Sequence, residues 1–154
     1  MNAVGLSPDH LSELVTMWHG GLIRQLTNVP IDMRIERWLY EEHPGLRDYQ
    51  IPALFEQLTE NAQVLSPQGK ELTPGKIYEA CNGLNAAYTR YLNKLLGDDV
   101  LYAPYSGTPF DQMGRELADF QWMKKDIGYR GDEQAINRWS RYFGLDSWWK
   151  WGRM

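Results

Sequence analysis

Apolar residues recur at helical spacing along almost the whole chain. After Ser7-Pro8, a capping residue followed by a proline suited to a first helical position, they fall at Leu11, Leu14, Val15, Trp18, Leu22 and Leu26. This pattern predicts one face of a helix running to about Thr27. Gly20-Gly21 interrupts it and marks a kink or a close helix approach. Pro30 is expected to open a second helix, with Ile31, Ile35, Trp38 and Leu39 inward and Arg34, Glu36, Arg37 and Glu41 outward, stopped at "HPGL".

A third helix is expected from about Pro52, burying Leu54, Phe55, Leu58 and Ala62. The turn-rich "LSPQGKEL" that follows admits a minor hairpin near 63–72. Thr73-Pro74 repeats the cap-plus-proline signature and starts the longest helix, striped by Ile77, Cys81, Leu84, Tyr88, Tyr91 and Leu95 up to Gly97. "VLYAPYSG" reads as extended or irregular. Thr108-Pro109, with Asp111 at the capping-box position, opens a helix burying Phe110, Met113, Leu117 and Phe120. Asp132 is expected to cap a further short helix carrying Ile136, Trp139 and Phe143, closed by Gly144-Leu145. Ser147 is then expected to cap a final turn bearing the terminal tryptophans, with Trp148 and Trp151 sharing a face and Trp149 turned away.

No period-two segment is long enough to build a sheet, and no internal repeat or long linker divides the chain. The expected architecture is an all-α, single-domain bundle of about six helices with a short C-terminal turn, spanning 1–154.

Composition changes this picture in two places. The single cysteine, Cys81, forbids an intramolecular disulfide. The opening residues carry no signal-peptide pattern, and no apolar run approaches the roughly 18 residues that cross a bilayer. The expectation is a cytoplasmic protein without a membrane span. The net charge of −4 conceals an asymmetry: residues 1–71 hold five basic and ten acidic side chains, whereas Phe120 onward holds seven basic and four acidic. That last segment also contains five of the seven tryptophans.

Candidate chemistry is sparse. His10, His19 and His43 lack the spacing of metal ligands, so no metal or cofactor is expected; His19 beside Gly20-Gly21 is a candidate pocket residue, with a partly exposed histidine near a kink as the favoured reading. Cys81 lies on an inner stripe, where cysteine acts as a small hydrophobe. "YSGTPF", with Gly107 and Thr108 at a helix N-terminus, is the best anion cradle, though ordinary capping explains it equally. Glu116 and Asp119, one helical turn apart, pair two carboxylates, and Glu79 is the one further acid placed near them; a solvated helix face looks the same. No catalytic constellation emerges, and a non-enzymatic protein is expected, with a nucleotide- or phosphate-handling helical enzyme as the distant alternative.

The surfaces say more. Arg138, Arg141, Tyr142, Trp148, Trp149, Trp151 and Arg153 combine the residue types enriched at interface hot spots. They mark a partner-binding surface, provided the tryptophans do not all turn inward to finish the core. The partner expected is another protein, with the chain acting as an adaptor or inhibitor; a homodimer is an open arrangement. Rings interleaved with cations also suit nucleic acid, as the alternative reading, although the acidic net charge opposes it. Glu36, Glu41, Glu42, Asp48, Glu56 and Glu60 form a candidate acidic face able to occupy a basic groove.

Overall fold

A computed structural model of the chain describes residues 7–152. Six α-helices are present among them: α1 (Pro8–Glu42), α2 (Arg47–Ala62), α3 (Pro67–Leu72), α4 (Gly75–Leu96), α5 (Pro109–Met123) and α6 (Tyr129–Tyr142). Three 3-10 turns, at Pro44–Leu46, Gln63–Leu65 and Val100–Tyr105, complete the connections, and no strand occurs among the described residues. The fold is an all-α bundle.

α4 is the central element. It buries Ile77, Leu84, Tyr88, Tyr91 and Leu92, but also Asn82, Asn85, Thr89 and Asn93, because neighbours surround its middle stretch, residues 82–89, on every side. α1 runs alongside it in the same direction: Gln25 donates to Cys81 O and Asn85 Oδ1, and farther along Arg37 reaches Tyr91. α5 is also parallel to α4, with Gly83 near Met113, Gly114 against Ala86 and Tyr91 edge-on to Trp122. Gly114 lets α5 approach α4 closely, since a Cβ there would stand 2.9 Å from Ala86 Cβ, while Gly83 makes room for the Phe143 ring after α6, which a Cβ would approach to 2.7 Å. α2 and α6 run the opposite way: Gln50 bonds Glu36 and Asn61 O accepts from Asn85 on one side, while Asp132 pairs with Arg34 and Phe143 meets Gly83 on the other.

The caps at Ser7 and Thr108 form as expected, accepting from His10 N and Phe110 N. Gly97 and Gly144 end their helices at positive φ, 71° and 63°. After Gly144, Leu145 N donates to Ser140 O at 2.8 Å and Gly144 N to Arg141 O at 3.0 Å, the Schellman pairing, with Leu145 fully buried.

Several expected boundaries move. The first two helices are one: α1 passes unbroken through Gly20-Gly21 and Pro30. A proline inside a helix costs about 3 kcal/mol, yet Leu22, Leu26, Val29 and Met33 continue a single stripe across it, all buried. Burial of that stripe outweighs the lost backbone bond, and Gln121 Nε2 donates to Pro30 O from α5. With Met33 inward, Ile35 and Trp38 turn to solvent rather than to the core. Leu11 and Val15 are likewise exposed, because α1 begins before the rest of the bundle does.

Other corrections are local. α2 begins at Arg47, whose guanidinium donates to Tyr40 O and stacks on the Tyr40 ring, so the turn from α1 is tighter than Pro52 implied. The expected hairpin near 63–72 is instead a 3-10 turn followed by α3, capped by Ser66, which accepts from Gly69 N. Thr73 does not cap α4; that helix starts at Gly75 without a side-chain cap. "VLYAPYS" forms a 3-10 turn, its Tyr102 and Tyr105 packing back on α4. α6 starts at Tyr129 behind Gly128, which leaves Asp132 inside the first turn, free to pair with Arg34 rather than to cap. Among the described residues no helical turn follows Ser147.

Candidate functional site

α6 has two sharply different faces. Ala135, Ile136, Trp139 and Ser140 are buried, while successive residues rotate by roughly 100° and bring Gln134, Asn137, Arg138, Arg141 and Tyr142 to the outside. The Gly144 turn then sends the chain back across the helix.

The folded-back tail is held by specific bonds rather than by helical form. Trp149 Nε1 donates to Ser140 Oγ at 2.8 Å, and Trp151 Nε1 to Asn137 Oδ1 at 3.0 Å. The two rings meet edge to face at 4.9 Å, so the paired tryptophans are Trp149 and Trp151, not Trp148 and Trp151 as helical spacing implied. Trp148 lies over His19, ring centroids 6.1 Å apart, and its carbonyl bonds His19 Nε2 at 2.8 Å. Trp148 and Trp149 are half-buried against the core, whereas Trp151 remains 41% exposed. The tail therefore divides its tryptophans: two finish the bundle and one is presented.

The charged neighbours divide too. The Arg138 guanidinium stacks 4.0 Å from the centre of the Phe120 ring. Tyr142 donates to Glu116 Oε2 at 2.9 Å; burial, with the Glu116 bond and charge behind it, pushes the phenol up to about 12. Glu116 is held below the usual carboxylate range by Gln112 and Tyr142. Arg141 and Lys150 make no ion pair and no side-chain hydrogen bond among the described residues. Arg153 lies outside the described residues. Asn137, Ser140 and His19, which tether the tail, were not legible as its partners; only the tertiary contacts reveal them.

The acidic residues do not gather on a single strip. Asp48, Glu56 and Glu60 follow one exposed row along α2. Glu36 is turned into the α1–α2 seam, where its carboxylate accepts from Gln50 Nε2 at 2.6 Å. Glu41 pairs with Arg37 at 2.9 Å, and Glu41 and Glu42 border a cleft of about 360 Å³ between the C-terminal part of α1, the end of α5 and the start of α6. The cleft contains as many cations as anions, and most are already engaged. Arg34 forms a two-bond pair with the buried Asp132 at 2.8 and 2.9 Å. Arg37 also donates to Trp122 O, and Lys124 donates to Gly131 O. Burial holds the Lys124 ammonium below the usual lysine range.

The sparser chemical candidates are taken up internally. In "YSGTPF", Asp111 Oδ2 accepts from Gly107 N at 3.4 Å, so the chain's own carboxylate takes the place of an incoming anion. Its hydrogen bond to Arg115 leads the causes that hold Asp111 below the usual range. Glu116 is bonded to Tyr142, and Asp119 lies 3.9 Å from Lys94, so the two acids serve separate contacts. Glu79 is exposed on α4. Cys81 is half-buried, and burial pushes its thiol up to about 11. Among the described residues no cluster of three His, Cys, Asp or Glu side chains has the geometry to hold a metal, and no helix is long and apolar enough to cross a membrane.

No family model, no curated protein and no solved structure matches the chain.

Proposed function

We propose that this chain is a non-enzymatic binding protein, an adaptor or inhibitor, that contacts another protein through the outer face of α6 and the folded-back tail. One observation carries the reading. Trp151 is exposed yet held in place by Asn137 and Trp149, beside a helix face whose Arg141 has no ion-pair or hydrogen-bond partner among the described residues. A ring fixed in advance loses little freedom on binding, and tryptophan and arginine are the side chains that dominate interface energetics. Lys150 adds a second uncommitted cation, so the surface suits an acidic or aromatic counterpart. The exposed row Asp48, Glu56 and Glu60 offers a secondary contact for a basic surface. The single cysteine supports a reducing, cytoplasmic setting.

The test is quantitative retention of interacting proteins from the native lysate by the immobilised chain, comparing wild type with Trp151→Ala and Arg141→Glu. A hot-spot contribution of about 2 kcal/mol corresponds to roughly thirtyfold in affinity, so the specifically retained protein should largely disappear with either variant. Equal retention by all three, or none by any, rejects the reading. Retention of nucleic acid instead, lost as salt is raised, replaces it with the nucleic-acid alternative.

A further inference from the structure

The apolar stripe of α1 changes partner halfway along its length. From Leu22 through Leu26, Val29 and Met33 it is covered by the bundle, Leu22 being only 1% exposed. The same stripe continues upward through Trp18, Val15 and Leu11, but Val15 is 58% and Leu11 49% exposed, and Met17, on the far flank of Leu14, is 61% exposed. Residues 8–17 thus form an arm about 15 Å long standing beyond the core. Its acids, Asp9 and Glu13, lie on the opposite side, leaving the apolar side free of like-charge repulsion.

Gly21 adds a second observation. An interior helical glycine weakens a helix relative to alanine, and a Cβ built at Gly21 would meet nothing within 4 Å, so no contact among the described residues requires it. By helical geometry Gly21 lies on the same side as Leu14, Trp18 and Leu11, one turn before Gln25, which is bonded to α4. The surface is an apolar seam with a shallow socket at its inner end.

We propose that this seam is a self-association surface, where the arms of two copies of the chain pair antiparallel across a twofold axis near residue 16. In that register Leu11 of each copy meets Gly21 of the other and Leu14 meets Trp18, with Val15 and Met17 flanking. The seam is therefore complementary to itself, as a twofold contact requires. The overlap covers residues 8–24, about 25 Å of helix, but Trp18 packs on the core and Leu22 is already buried, so the free seam stays below the roughly 1,000 Å² of a stable specific interface. A seam of that size fits a weak, reversible dimer rather than an obligate one.

Sedimentation of the full chain from about 1 µM to 1 mM tests this. Wild type should pass from monomer to dimer, and Leu11→Glu and Val15→Glu should each raise the dissociation constant at least tenfold with an unchanged melting temperature of the monomer. Gly21→Leu should weaken the dimer equally while not lowering monomer stability, a combination that a merely structural glycine would not show. Under mild oxidation, a mixture of Leu11→Cys and Gly21→Cys chains should form the mixed disulfide in preference to either homodisulfide. A monomer throughout, a dimer indifferent to these variants, or a preferred Leu11→Cys homodisulfide overturns the proposal. None of these outcomes involves α6, so the proposed partner surface stands or falls separately.

Discussion

Cys81 shows how environment decides what a reactive side chain is allowed to do. It occupies the inner stripe of α4, half-buried, with its backbone carbonyl accepting from Gln25. Desolvation of the thiolate pushes the thiol up to about 11, from an ordinary value of 9.0. A rise of about two pH units makes the thiolate at neutral pH roughly a hundredfold scarcer than in a free cysteine. Alkylation by iodoacetamide should be slower by at least that factor in the native state and return to the ordinary rate in denaturant. Rapid native alkylation would mean that α4 opens around residue 81. The stripe position was readable from spacing alone, and it correctly marked the side chain as packing material; the size of the shift depends on the helices packed over it. Pro30 and Gly20-Gly21 show the opposite case. Their local preferences argue for breaks, and continuous burial of Leu22, Leu26, Val29 and Met33 overrides them.

Among the elements, the C-terminal tail is where helical spacing misled most. Three tryptophans in four positions imply a helical turn, but the Gly144 reversal and the bonds from Trp149 to Ser140 and Trp151 to Asn137 hold the segment in an irregular path across α6. Two rings pack and one is presented, so the three positions should respond differently. Trp149→Ala removes a half-buried ring and its bond and should cost about 2–3 kcal/mol, a fall in melting temperature of about 4–12 °C. Trp151→Ala should cost less than about 1 kcal/mol. Equal losses at both positions, measured by thermal unfolding, would show that the presented ring is in fact part of the core. The same distinction underlies the partner-surface proposal, since only an uncommitted ring can be lent to another molecule.

At the scale of the whole molecule, the two ends of the chain are locked together by contacts far apart in sequence. α1 meets α6 and the tail through Arg34–Asp132 at one end of the pair and His19–Trp148 at the other. Asp132 is almost fully buried, and the Arg34 bond leads the causes that raise the guanidinium above its usual range. Removing one partner of a buried pair leaves an uncompensated charge. Arg34 is itself partly exposed and Lys124 stands near Asp132, so Arg34→Ala should cost about 2 kcal/mol, rather than the 3–5 of a fully buried pair. Adding Asp132→Ala should recover part of the loss, because no unpaired carboxylate then remains; a double variant less stable than the single by a full additive amount would contradict this coupling.

The order of apolar and polar residues by itself determined the helical class, the inward stripes of α4, α5 and α6, the caps at Ser7 and Thr108, and the glycine stops at Gly97 and Gly144. These depend on interactions within a few residues, which spacing expresses directly. Only the tertiary structure decided that α1 is one helix, that its first turns stand clear of the core, that the acidic residues separate into a row, a seam and a cleft edge, and that Trp151 alone among the tail rings is exposed. Each of these is set by which elements meet. A stripe announces that a face is apolar, while its burial depends on where the neighbouring helices end.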